Sequence, residues 1–84
     1  MTSASAPVRR HNGPAIRAFR IKAGMKPGEF ASKASISYST LDNIENERKN
    51  ASLEVLYRIA GALDIPVHAI VRDPVALEIK ANAS

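Results

Sequence analysis

The chain has 84 residues, a formal net charge of +4 and no cysteine. These totals fit one domain with a modest core, and they exclude disulfide bonds and thiolate chemistry. The sequence contains neither the roughly 18 consecutive apolar residues of a membrane span nor the apolar stretch of a secretory signal, so we expect a cytoplasmic protein. Residues 1–50 carry nine Lys and Arg against four Asp and Glu, and residues 51–84 carry three against four. This asymmetry is typical of a face that binds an anion, although a soluble basic surface would give the same totals.

The first twelve residues are predicted to form a flexible basic arm. The segment is rich in Ser, Ala and Thr, and it ends in Arg9, Arg10 and His11. It has few apolar groups to bury, so its composition does not favour a packed conformation. We therefore assign residues 13–73 to the compact domain and residues 74–84 to a C-terminal tail.

The first helix is predicted over residues 14–23. It follows an Asn-Gly-Pro sequence, in which Asn suits the N-cap and Pro the first turn. Ile16, Phe19 and Ala23 lie on one stripe at helical spacing. Gly24 ends the helix, as glycine commonly does.

Residues 25–46 are predicted to form two short helices joined by a tight turn. Pro27 suits the start of the first, and Ser37 is a good N-cap for the second, which should run from about residue 38 to residue 47. The apolar residues expected to face the core are Phe30, Ala31, Ala34, Ile36, Leu41 and Ile44.

The fourth helix is the clearest amphipathic segment. Ser52 suits its N-cap, and Asp64-Ile65-Pro66 stops it. Residues 67–71 should form a short fifth helix that closes the core. In the tail, alternating apolar and polar residues favour a strand, although one or two helical turns are also open. The apolar residues at i, i+3 and i+4 spacing in the fourth helix are Leu53, Leu56, Ile59, Ala60 and Leu63.

These helices together follow a recognisable register. It comprises Ile16-x-x-Phe19-Arg20, Glu29-Phe30-Ala31, Ile36-Ser37, Leu41-x-x-Ile44-Glu45-Asn46 and Ser52-Leu53-x-x-Leu56-x-x-Ile59-Ala60-x-Ala62-Leu63. In this register residues 16–71, about two-thirds of the chain, resemble the phage repressor, Cro and XRE-type helix-turn-helix family. The resemblance implies an all-α, five-helix, lambda-repressor-like domain that binds double-stranded DNA.

The resemblance also implies a structural ion pair between Arg20 and Glu45. These residues follow the core residues Phe19 and Ile44, so both should lie at the margin of the core. A lone charge is costly there, whereas a bidentate pair is tolerated. We therefore expect this pair to tie the first helix to the end of the third.

The third helix is the expected recognition helix, whose N-terminal residues meet base edges in the major groove. The candidates are Tyr38, Ser39, Thr40 and Asn43. The Asn43 amide can pair with adenine, and the Thr40 methyl or the Tyr38 ring can pack on a thymine methyl. Tyr38 could instead pack against the second helix. Because the set lacks Arg and Lys, we expect A·T-leaning or weak direct readout, with DNA shape as another source of specificity.

Contacts to the DNA backbone would position the protein without reading sequence. The two arginines of the arm could also enter a minor groove. The candidates are Arg9, Arg10, Lys26, Ser37, Asn46, Arg48, Lys49 and Asn50.

Three positions depart from the family pattern. Pro27 stands where Gln is frequent, and it offers no N–H to a phosphate. Glu47 stands where Gly is usual, so either it adopts a left-handed conformation or the helix runs slightly longer. Glu47 also adds a negative charge near the expected path of the phosphates. Ala51 replaces the usual Pro before the fourth helix.

The sequence therefore predicts a sequence-specific transcriptional regulator that binds DNA as a homodimer. Val67, Ile70 and the tail are the candidates for dimerisation. The alternative is a protein-binding module on the same fold, such as an antitoxin or a partner-dependent regulator. An enzyme is not expected, because His11 and His68 have no companion ligands at metal spacing and no phosphate-binding Gly-rich motif is present. No cofactor or metal is expected.

Overall fold

The computed structural model describes residues 11–72, which form four α-helices and one 3₁₀-helix. The elements are α1 (Gly13–Lys22), α2 (Pro27–Lys33), α3 (Tyr38–Glu45), α4 (Leu53–Leu63) and the 3₁₀-helix Val67–Ile70. The all-α prediction is confirmed, but the fifth helix is 3₁₀ rather than α, a form common in short connecting pieces. The predicted roles of Arg9, Arg10 and the tail fall on residues 1–10 and 73–84, outside this range.

Side-chain caps start three of the α-helices where the sequence predicts them. The side-chain oxygens of Asn12, Ser37 and Ser52 accept backbone N–H groups three residues further on, at 3.1, 3.0 and 3.2 Å. Each cap satisfies one of the N–H groups that a helix N-terminus leaves unpaired.

All four α-helices end in the same Schellman turn, in which one residue takes a left-handed conformation. These residues are Gly24, Ser35, Glu47 and Asp64, with φ of 75°, 61°, 56° and 58°. In each turn the next N–H donates to the carbonyl five residues back, over 2.8–3.2 Å. Glu47 is thus left-handed, as one of the two sequence alternatives states, and α3 ends at Glu45 rather than residue 47.

The core lies between the helices, with α3 packed against both α1 and α2. Gly13 allows the close approach of α1, because a Cβ there would lie 2.4 Å from the carbonyl oxygen of Glu45 and 2.7 Å from that of Ile44. The largest fully buried side chains are Ile16, Phe30, Leu41, Leu56, Ile59, Ile70 and His11.

Several predicted positions are corrected by this packing. Ala23 is exposed rather than on the inner stripe, because the chain already turns there at the end of α1. Val67 and Ile70 are buried in the domain's own core, so their side chains are not available to a second copy. Val71 is extended, and it pairs with His11 in an isolated antiparallel bridge.

His11 therefore belongs to the folded unit rather than to a flexible arm. Its side chain is fully buried, and its Nε2 lies 2.9 Å from the carbonyl oxygen of Ile44. The N–H of Asn12 donates to the carbonyl of Ile70 over 2.8 Å. Within residues 11–72, no helix is long and apolar enough to cross a membrane.

Candidate nucleic-acid interface

The helix α3 turns one face to the core and the other outward. Leu41 and Ile44 are 1% and 2% exposed, as predicted, and they hold the helix against α1 and α2. On the other face Tyr38 is 58% exposed, so its ring is not buried against α2. The remaining predicted base-reading residues are Ser39, which is exposed, and Thr40 and Asn43, which are partly exposed.

The expected ion pair between Arg20 and Glu45 is present and bidentate. Arg20 donates from Nε to Oε2 of Glu45 over 2.8 Å and from Nη2 to Oε1 over 3.2 Å. Its Nη1 donates to the carbonyl of Met25 over 3.1 Å. Both residues are buried, at 8% and 7% exposure. The pair therefore joins α1, the turn before α2 and the last residue of α3, which fixes the orientation of the outer face.

Hydrogen bonds at the start of α3 engage two of the predicted DNA contacts. The Ser37 hydroxyl accepts the N–H of Thr40 and donates to the Thr40 hydroxyl over 2.8 Å. The proton of Ser37 is thus used within the protein. Thr40 keeps its own hydroxyl proton and its methyl group for an outside partner.

A polar network covers the C-terminal part of α3. Arg48 forms an ion pair with Asp42 and donates from Nε to Oδ1 of Asn43 over 3.1 Å. The Asn46 amide donates to the carbonyl and carboxylate of Asp42 over 2.9 and 3.1 Å, and it accepts from Arg17 over 3.3 Å. The sequence prediction missed Asp42 and Arg17. The i, i+4 spacing of Asp42 and Asn46 on one helix face is the signal that could have identified Asp42.

Glu47 is anchored rather than projecting toward a ligand. Its Oε2 accepts the N–H of Gly13 over 2.8 Å, and its carboxylate pairs with Arg72. Arg72 also donates to the carbonyl of His11 over 3.1 Å. The hydrogen bond from Arg72 is the main cause that lowers the pKa of Glu47, and it outweighs the opposite effect of partial burial. The charge predicted to repel phosphate is therefore compensated by an arginine.

Three further predicted backbone contacts are exposed at the ends of the helix-turn-helix unit. Lys49 and Asn50 lie in the loop after α3, and Lys26 precedes Pro27, the first residue of α2. The backbone N–H of Lys26 donates to the Glu29 carboxylate over 3.3 Å. In the described range, no three His, Cys, Asp or Glu side chains are grouped to hold a metal ion.

Comparison with known proteins agrees with this geometry. The immunity repressor protein of Bacillus phage phi105 is 44% identical over 59 residues, which cover 70% of this chain and 41% of that protein. A crystal structure of SinR in complex with DNA is 33% identical with a TM-score of 0.64, covering 67% of this chain and 90% of that one. A SinR protein/SinI protein complex is 29% identical with a TM-score of 0.69, covering 77% of this chain and 64% of that one.

The chain spans about half the length of the curated relatives that it matches. The helix-turn-helix family model matches residues 16–70, a range that contains α2, α3 and the turn between them. The chain therefore belongs to the helix-turn-helix family.

Proposed function

We propose that this protein is a sequence-specific DNA-binding regulator of transcription that inserts α3 into the major groove. The observation that carries the proposal is the two-sided character of α3. Its apolar residues are buried, while Tyr38, Ser39, Thr40 and Asn43 line the outer face. Helix-turn-helix proteins present the second helix of the motif to base edges in this way. The names of the relatives, an immunity repressor and SinR regulators, support the same function.

Basic and polar groups beside α3 would fix the protein on the DNA backbone. Lys49 and Asn50 follow the helix, and Lys26 lies at the start of α2. Ser37 and Asn46, the other predicted contacts, donate their side-chain protons within the protein, so they would have to exchange those hydrogen bonds to donate to a phosphate. Arg9 and Arg10 precede the described range in the sequence and would add two positive charges. Such contacts supply most of the non-specific affinity but no base preference.

In this proposal the protein acts by binding, in the cytoplasm, without a cofactor and without catalysis. Helix-turn-helix dimers bind two half-sites about one helical turn apart. Because Val67 and Ile70 are buried, a homodimer would have to use residues of the tail or an exposed surface of the described domain. Sedimentation of the DNA complex tests this part of the proposal, and a complex with a single protomer would contradict it.

Selection of bound sites from random duplex DNA tests the function, and two tyrosines provide a matched comparison. Tyr38 on α3 and Tyr57 on α4 are 58% and 55% exposed. Tyr38→Ala should weaken binding to the selected site by about tenfold, the low end of the roughly 1–3 kcal/mol that one good base contact contributes. Tyr57→Ala should leave the affinity within about twofold of wild type, because Tyr57 lies outside α2 and α3. Equal effects of the two substitutions would contradict the placement of α3.

A protein-binding module is the second candidate, and a neighbouring structure favours it. The fold is similar to that of SinR in the SinR protein/SinI protein complex, at a TM-score of 0.69. Pro27 at the start of α2 also removes one N–H that could bind a phosphate. A mobility-shift assay at low salt with wild type and Asn43→Ala discriminates between the DNA-binding and the partner-binding functions. Absence of any shift by the wild-type protein would favour the partner-binding function.

A further inference from the structure

Arg48 lies where the chain folds back over the end of α3. Its N–H donates to the carbonyl of Asn43 over 2.8 Å, as the left-handed Glu47 before it requires. This turn brings the Arg48 side chain alongside the outer face of the recognition helix. There it pairs with Asp42 and reaches the side chain of Asn43. One arginine thus holds two successive residues of α3.

The contact with Arg48 determines how the Asn43 amide is oriented. A guanidinium group has only donors, so the amide atom that faces its Nε over 3.1 Å must be the oxygen. The amide is planar, so its Nδ2 group then points away from Arg48. In this orientation one of the two lone pairs of the oxygen is taken by a positively charged donor, and the Nδ2 group offers its N–H donors to an outside partner.

Asp42 connects Arg48 to further residues of the domain. Its carboxylate pairs with Arg48 and also accepts from the Asn46 amide over 3.1 Å. Asn46 in turn accepts from Arg17 on α1 over 3.3 Å. The position of the Arg48 guanidinium is therefore linked through α3 to α1. The Arg48 and Asp42 side chains remain 53% and 42% exposed, so substitution of either should not unfold the domain.

We propose that Arg48 is a positioning residue that makes Asn43 read guanine rather than adenine. The inference rests on the proposed DNA-binding function. Bidentate recognition of adenine needs the amide oxygen to accept from N6–H while the nitrogen donates to N7. Both purines present N7 as an acceptor, so the choice between them depends on N6–H of adenine and O6 of guanine. The guanidinium beside the Asn43 oxygen disfavours the N6–H donor there, whereas the Asn43 N–H groups match both N7 and O6 of guanine. This replaces both the A·T preference and the purely backbone role that the sequence suggests.

Site selection from random duplex DNA, repeated with three variants, tests this assignment. Asn43→Ala should lose the preference at one base-pair position and thereby identify it. Arg48→Met keeps the length of the side chain but removes its donors. It should shift that same position from guanine toward adenine by about tenfold, the scale of one specific base contact.

Lys49→Met is the matched control, since it removes the same charge from the next, exposed residue of the loop. It should lower the affinity for all sequences alike and leave the base preference unchanged. If Arg48→Met behaves like Lys49→Met, Arg48 is only a backbone contact and the inference is overturned. If the wild-type protein already selects adenine at the Asn43 position, the inference is also overturned. If the wild type enriches no sequence at all, the proposed function fails and the inference fails with it.

Discussion

Arg20 and Glu45 bring opposite charges into the margin of the core. Each charge is tolerated there because the other one compensates it. Both residues are more than nine-tenths buried and are joined by two hydrogen bonds. Removal of either one leaves a buried charge without its counter-ion. Arg20→Ala or Glu45→Ala should therefore lower the free energy of unfolding by roughly 3–5 kcal/mol, measured by urea or thermal denaturation.

Arg17 is the control for this prediction because it approaches the same carboxylate from solvent. Its Nε lies 3.5 Å from Oε1 of Glu45, and its side chain is 49% exposed. Arg17→Ala should cost less than about 1 kcal/mol, as is usual for exposed pairs. Melting curves of the Arg20 and Glu45 variants that match wild type would refute the structural role of the buried pair.

Glu47 should make part of the stability depend on pH. Its pKa is lowered in the folded protein, first by the hydrogen bond from Arg72. The folded state therefore favours the ionised carboxylate, and the gain is complete above the ordinary value of 4.5. It is lost as pH falls through the lower folded value. The stability difference between wild type and Glu47→Gln should thus narrow on acidification, as chemical denaturation at several pH values would show.

Arg72→Met provides an independent check of that pH dependence. It removes the main cause of the lowered pKa while retaining Glu47 itself. Its stability should vary less with pH than that of wild type below pH 4.5. An unchanged profile would mean that Arg72 does not set the ionisation of Glu47.

At the scale of elements, three of the four α-helices end in a turn where a non-glycine residue has a strained left-handed backbone. A left-handed conformation costs a residue with a Cβ roughly 1–2 kcal/mol, and glycine avoids most of this cost. Ser35 has a φ of 61° in the turn between α2 and α3. Its carbonyl accepts from Arg58 over 3.3 Å, a contact that glycine would keep. Ser35→Gly should therefore raise the free energy of unfolding by about 0.5–1 kcal/mol.

Gly24→Ala is the reverse substitution at the corresponding turn after α1. The glycine has a φ of 75°, and a Cβ there would meet no atom within 4 Å. A loss of about 1–2 kcal/mol on denaturation would therefore report backbone strain and not a clash. If both substitutions were neutral, these turns would not be strained as the φ values indicate.

At the scale of the whole molecule, positive charge should dominate the affinity for DNA. The formal net charge is +4, and the first 50 residues carry the excess. Each phosphate neutralised should contribute about −0.9 to the slope of log affinity against log salt concentration. Fluorescence anisotropy with duplex DNA at about 50 to 200 mM salt measures this slope. An affinity independent of salt would contradict the proposed contacts with the DNA backbone.

The sequence by itself determined the α-helical fold, three of the helix N-caps and the Arg20–Glu45 pair. These features follow from local rules, since a cap needs one side chain in the adjacent turn and an amphipathic stripe needs only its spacing. The ion pair joins residues 25 positions apart. The pair could be predicted because each partner directly follows a core residue in a register that resembles a known family.

The tertiary structure alone decided three features around α3. These are the burial of His11, the ion pair between Glu47 and Arg72, and the hydrogen bond from Arg48 to Asn43. All three depend on where distant backbone segments and turns lie. Ser35 and Asp64 adopt left-handed conformations in the turns after α2 and α4. Neither residue type indicates that conformation from the sequence as glycine does. Hydrogen bonds require atoms to meet within a few tenths of an ångström, and residue spacing cannot supply that geometry.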